Sequence, residues 1–212
     1  MNETLAAHNA DCTLTVTATH QPGTPLHLRY EVVNHSTLPL YLCDQLYEVA
    51  HPAEASELMV QLHPSRVHTE VDALGVHLTK AIVNVSLRDD VRALDLPYLS
   101  ELQPGMSLAQ VFEVAVPLRP FRTYGQRPGP APASALPLWF ALGCFRGTPE
   151  LMAALTPVPN AQPGTYEVAA WQSRQQVLLV VGPFLEAVPV ADAVPSTAPP
   201  LPAAPAQWTP WS

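Results

Sequence analysis

The chain has 212 residues, 48% of them apolar and 13% charged, with a formal net charge of −8. That is enough apolar material for a buried core, while the acidic balance argues against binding nucleic-acid phosphates, which reward positive charge, and against anionic lipid. No apolar run reaches the roughly 20 residues of a membrane span, since the most apolar stretch, Val177–Val190, is broken by Gly182, Pro183 and Glu186.

Residues 1–11 lack a basic segment followed by an apolar one, so no secretory leader is expected and the chain reads as cytoplasmic. They are taken as an N-terminal arm. Heavy use of Ala, Pro and Arg, with Lys80 the single lysine, suggests a GC-rich genome. The three cysteines, Cys12, Cys43 and Cys144, are widely spaced without a CxxC pair, which points to reduced, buried thiols. A Cys12–Cys43 disulfide would need an oxidising compartment.

The fold opens at Cys12. Leu14, Val16 and Ala18 alternate with Thr13, Thr15, Thr17 and Thr19, the period of a half-buried strand. QPGTP (Gln21–Pro25) is a turn cluster. Leu26, Leu28, Tyr30 and Val32 then alternate with His27, Arg29, Glu31 and Val33. NHST (Asn34–Thr37) turns the chain again into a third strand, Leu38–Tyr47, so Leu26–Leu42 reads as a hairpin with one dry face and one wet face.

Short strands are expected at Glu57–Pro64, at Gly75–Leu87 (one long or two short) and at Met106–Leu118. Asp89–Leu108 reads mainly as loop with a helical turn. Arg119–Pro137, dense in proline, is too long for a tight hairpin, and loops of that length are often functional. Strand pattern resumes at Leu138–Gly147, a helical turn fits Glu150–Leu155, and Thr165–Pro183 reads as a closing hairpin tipped by QSRQQ. From residue 183 to 212 proline recurs too often for a sheet interior. The expected organisation is an arm (1–11), a β-sandwich (12–182) and a Pro-rich tail (183–212). The fold class is all-β: an antiparallel two-sheet immunoglobulin-like sandwich, each strand dry on one side.

Two stretches resemble bacterial immunoglobulin-like and fibronectin-III-like domains. LHLRYEVVN is similar to their L-x-L-x-Y-x-V-x-N strand before a polar corner. Leu102, Pro104 and Gly105 match the L-x-P-G turn before a later strand. One such group is the intracellular proteinase-inhibitor-like domain of bacilli. The resemblance implies the fold, and its motifs are structural rather than catalytic.

The chemistry-bearing residues form no recognisable reaction centre. His63, His68 and His77 invite a metal, but HExxH spacing is absent and Pro64 interrupts the run. No nucleophile elbow, phosphate loop or functional carboxylate pair occurs, since Asp89–Asp90 reads as a capped turn. Sequons at Asn2, Asn34 and Asn84 carry no meaning without secretion, and the same holds for WTPW.

Aromatics beside arginine are enriched at binding hot spots. Phe121, Arg122, Tyr124, Arg127 and Trp139 in and beside the long loop, and Trp208 and Trp211 in the tail, are therefore the candidate partner-binding residues. The expectation is a non-enzymatic interaction module of a bacterial cytoplasm, binding a protein partner or a second copy of itself through loops, a sheet edge or the tail, with no cofactor and no metal. The alternative is a ligand- or metal-binding sandwich, enzymatic through His63, His68 and His77.

Overall fold

The computed structural model describes residues 1–50, 59–63, 65–88, 91–120, 134–159 and 161–191. In chain order the strands are β1 (Asn2–His8), β2 (Cys12–Thr19), β3 (Leu26–Asn34), β4 (Leu40–Gln45), β5 (Tyr47–Ala50) and β6 (Met59–Leu62). Next come β7 (His68–Val71), β8 (Val76–Lys80), β9 (Val83–Arg88), β10 (Val91–Asp95), β11 (Tyr98–Leu102) and β12 (Ser107–Val114). The last are β13 (Ser134–Leu136), β14 (Leu138–Arg146), β15 (Thr156–Pro157), β16 (Thr165–Glu167), β17 (Val177–Val181) and β18 (Val188–Val190). Helix is confined, among the described residues, to α1 (Pro149–Ala154) and a 3-10 turn at Ala170–Gln175.

The protein is mostly β, in several sheets. β1, β2, β3 and β12 form the first sheet in that order, antiparallel throughout. The second runs β15-β16-β11-β4-β14-β8-β7, with β17 also paired to β14. β5–β6, β9–β10 and β13–β18 are separate two-stranded ribbons.

One core joins the two large sheets. Alternate residues of β2 and β3, from Cys12 and Leu14 to Tyr30 and Val32, are fully buried there with Phe112 of β12. Against them pack Leu40 and Leu42 of β4, Val76 and Leu78 of β8, and Leu138, Phe140 and Leu142 of β14. The threonines of β2 stay half-exposed, as the period-two pattern predicts. The second sheet is also covered behind. Tyr41, Cys43, Ile82, Leu99, Phe145, Leu151 and Val168 form a second, smaller core there. Thr148 caps α1 by accepting from the Leu151 N–H, and this places Leu151 in that core. β4 and β14 are therefore dry on both faces, not on one as expected from sequence.

Asn34 holds the corner between the sheets. It is fully buried. Its Nδ2 donates to the carbonyls of Leu38 and Leu102, both at 2.9 Å, and its Oδ1 accepts from the Ser36 N–H and hydroxyl, both at 2.9 Å. Two donors and two lone pairs are the full capacity of an asparagine amide. Its main chain is tied as well, to Met106 O at 3.0 Å and from Gly105 N at 2.9 Å. Gly105 has φ 73°, the left-handed conformation that glycine takes most readily.

Several expectations need correction. Leu26–Leu42 is a corner rather than a hairpin, because β3 pairs with β2 and β12 whereas β4 pairs with β11 and β14. The ladders are not all antiparallel, since β8 runs parallel to β14. The sequence before Leu102 holds strands β10 and β11 in place of loop and helical turn. Thr165–Pro183 is no hairpin: β16 pairs with β11 and β15, while β17 pairs with β14. The supposed arm is β1, in register with β2 along its whole length. The boundary at residue 183 falls too early. Phe184, Val188 and Val190 lie in the main core, and β18 pairs with β13. Pro189 fits there because its carbonyl turns away from β13, accepting from Leu118 N at 2.8 Å, so the ribbon asks no N–H of it.

Replacing Asn34 with alanine strips donors from the buried Leu102 carbonyl and the half-buried Leu38 carbonyl and should cost roughly 2–4 kcal/mol in urea unfolding. Tyr30→Ala should cost roughly 3–5 kcal/mol, while exposed Arg29→Ala should stay within about 0.5 kcal/mol; reversed costs would mean that the β3 register is off by one residue. A chain ending after Glu186 loses Val188 and Val190, and should unfold at lower urea than one ending after Ala191.

Candidate functional site

Four polar side chains meet inside the main core, each at a position where its strand's alternation calls for an apolar residue. Tyr30 follows Leu26 and Leu28 on β3, Asp44 follows Leu40 and Leu42 on β4, Lys80 follows Val76 and Leu78 on β8, and Gln110 lies between Leu108 and Phe112 on β12. β14 brings two of them together. It pairs with β8 as far as Leu142↔Lys80, and then with β4 from Cys144↔Leu42. The ends of β8 and β4 thus meet where β14 changes partner.

The network spans both sheets. The Tyr30 hydroxyl donates to Gln110 Oε1 at 2.7 Å, and Gln110 Nε2 donates to Asp44 Oδ2 at 2.6 Å. Lys80 Nζ donates to the Asp44 carbonyl at 3.1 Å and approaches Gln110 Oε1 at 3.5 Å. The ammonium also lies 4.9 Å from the Phe112 ring centre and 5.9 Å from that of Tyr30, within cation–π range. Tyr30 in turn stacks on Phe140 at 5.5 Å.

Burial sets the electrostatics. Asp44 is 1% exposed and Lys80 0%. Loss of water raises the Asp44 carboxyl to about 6, with Ser100 and the Lys80 charge pulling the other way. Loss of water lowers Lys80 to about 8, opposed by Asp44. Burial, helped by Asp44, also pushes the Tyr30 phenol up. Between about pH 6 and pH 8 both Asp44 and Lys80 are charged. As pH rises through 6, Asp44 gives up the stability that its raised value confers in acid. As pH falls through 8, Lys80 gives up the stability that its lowered value confers in base. Two opposite charges are thus held out of water inside the core.

Next to this junction, Gln176 fills the gap left where β8 ends. Its Oε1 accepts from Ile82 N at 2.7 Å and its Nε2 donates to Ile82 O at 3.2 Å, so a side chain replaces a strand. Gly143 makes room, because a Cβ there would lie 2.5 Å from Gln176 Oε1. The Cys43 thiol donates to the same oxygen at 3.3 Å. Cys43 belongs to the core behind the second sheet, and Cys12 and Cys144 to the core in front of it, so the Cys12–Cys43 bridge has no geometry. All three thiols are free and buried.

Of the expected site residues, Trp139 lies on the outer face of β14, half-buried, directly beside His77 of β8. Their rings stack at 5.9 Å with 10° between planes. His77 Nε2 also pairs with Asp72 at 3.2 Å. His68 of β7 shares that outer face and is buried, whereas His63 precedes the strand and bonds through its main chain to Leu46 O. Only two of the three histidines are thus on one surface. No group of three metal-binding side chains is gathered among the described residues. Phe121, Arg122, Tyr124, Arg127, Trp208 and Trp211 lie outside the described residues.

Two exposed features escaped the sequence reading. Trp171, in the 3-10 turn, is 66% exposed, and Val111, on β12, is 64% exposed. Trp171 was hidden by reading its segment as part of a hairpin. For Val111, the outward phase of β12 was the signal that could have found it. No helix among the described residues is long and apolar enough to cross a membrane. No family model, no curated protein and no solved structure matches the chain.

Lys80→Met leaves the Asp44 carboxylate buried without its cation and should cost roughly 3–5 kcal/mol near neutral pH. The penalty should shrink toward about pH 5, where Asp44 is protonated. Urea unfolding at both pH values checks this, and adding Asp44→Asn should recover part of the loss. A penalty independent of pH would mean that Asp44 does not carry the effect.

Proposed function

We propose that the chain is a non-enzymatic interaction module built as an immunoglobulin-like sandwich, engaging another polypeptide through the free edge of its first sheet. The observation that carries this reading is β12. It is eight residues long, keeps regular register with β3 from Ser107 to Val114, and pairs with no other described strand. Natural sheets blunt such edges with proline, lysine, bulges or short strands. Three of the other edges are short or covered. β15 has two residues, one of them proline, and β7 has four. β1 contacts β17, and its Glu3 accepts from Leu185 N at 2.7 Å. β12 has no proline and no lysine, and it shows an exposed valine at its centre.

The buried network supports the same reading from the other side. Its two charged groups are sealed from solvent, so they lend rigidity without offering a substrate a reactive atom. Strand addition to an open edge draws its affinity from main-chain hydrogen bonds and its specificity from alternate side chains.

Val111→Pro removes one outward N–H and should abolish capture while leaving the urea midpoint nearly unchanged, because that N–H faces away from β3. Proteins retained by the immobilised full chain and lost with Val111→Pro would be the edge's partners. An identical set on both surfaces would refute the reading.

A further inference from the structure

We propose that the edge of β12 binds the β12 of a second copy, antiparallel about a two-fold axis at Gln110, which merges two four-stranded sheets into one. This rests on reading β12 as the binding edge, and it names the partner.

The main chain fixes which groups are free. Asn34 N bonds to Met106 O, and Gly105 N to Asn34 O, at the head of the β3–β12 ladder. Bonded pairs alternate along an antiparallel ladder. With Val32 opposite Leu108 and Tyr30 opposite Gln110, the bonded residues of β12 are Leu108, Gln110 and Phe112. The N–H and C=O groups of Ser107, Ala109, Val111 and Glu113 therefore point away from the sheet, and their side chains are all exposed.

Two copies can join only where outward groups meet outward groups. An axis at Gln110 sets Ala109 opposite Val111 of the second copy and Ser107 opposite Glu113, so all four outward residues find partners. Moving the axis by one residue in either direction keeps that parity but shifts the overlap, so part of it falls beyond the strand. At Gln110 the side chains also match. A small residue faces a β-branched one, and a hydroxyl faces a carboxylate. The two Glu113 side chains stay six residues apart along the ladder, roughly 20 Å, so the only charges on the strand do not collide. On the core side, Leu108 meets Phe112 of the second copy and extends the apolar face. The −8 charge of each copy opposes association over longer range, and salt screens that term.

Sedimentation of the full chain from micromolar to submillimolar concentration tests this. A monomer–dimer equilibrium that tightens with salt is expected. Val111→Lys sets two like charges diagonally across the axis, and Val111→Pro deletes a bonding N–H. Each should weaken dimerisation by roughly tenfold or more with an unchanged urea midpoint. Register is read by cross-linking: Ala109→Cys mixed with Val111→Cys should form an intermolecular disulfide under oxidation, and Val111→Cys alone should not. A monomer at every concentration, or a dimer indifferent to both Val111 variants, would overturn the proposal. If the chain is monomeric but Val111→Pro still loses captured proteins, self-pairing fails and the edge reading stands. If neither responds to Val111→Pro, both fail.

Discussion

A single asparagine amide sets the relation between the two sheets. Asn34 ends β3 in one sheet, and six residues later the chain must begin β4 in the other. Its side chain bonds to Leu38, just before β4, and to Leu102, at the end of β11. Its main chain bonds to Gly105 and Met106, just before β12. One buried residue thus fixes where four strands begin or end. A buried amide with every bond made is inexpensive, but one with a bond missing carries a full desolvation cost. The corner therefore has one geometry of low energy. The L-x-Y-x-V-x-N strand and the L-x-P-G turn, far apart in sequence, are the two halves of this joint.

Local periodicity made much of the fold readable. β2, β3, β12 and β14 show their strands in plain alternation or apolar runs, and α1 shows its Thr-Pro start. What could not be read was pairing. β3 and β4 look like a hairpin because nothing local distinguishes a turn within a sheet from a corner between sheets. β10 and β11 were hidden by Pro97 and by acidic residues that broke the alternation. β18 was hidden by Pro189, which the ribbon tolerates because the main-chain groups of that residue face away from β13, toward Leu118.

The buried network was legible in a different way. Asp44, Lys80 and Gln110 each stand in the inward phase of a strand whose other inward residues are apolar. A lone lysine continuing Val76 and Leu78 in phase predicts a buried ammonium, and a buried ammonium requires partners on facing strands. Which strands face β8 is a tertiary fact, so the phase could have marked the members but not their meeting, and from sequence Lys80 stood out only as the single lysine. Trp139 and His77 show the same limit, since their stacking follows from the parallel β8–β14 pairing, which no local pattern announces.

The network and the open edge are connected through Gln110. On one side this residue receives the Tyr30 hydroxyl and donates to Asp44, so it ties β12 to both sheets. On the other side its strand presents unpaired main-chain groups at Ala109 and Val111. An edge strand held only by its ladder to β3 would fray, and a partner would have to order it before binding. Anchored from the core, β12 is already extended and in register, which is what the proposed edge binding would require of it. On that proposal, the ordering cost that weakens most strand-addition interfaces would be largely absent. The same anchoring explains why a polar cluster occupies a place where leucine would pack with less electrostatic cost: apolar side chains would fill the volume without fixing the strand's height along the sheet. Hydrogen bonds are directional, and the alignment of an edge depends on that direction.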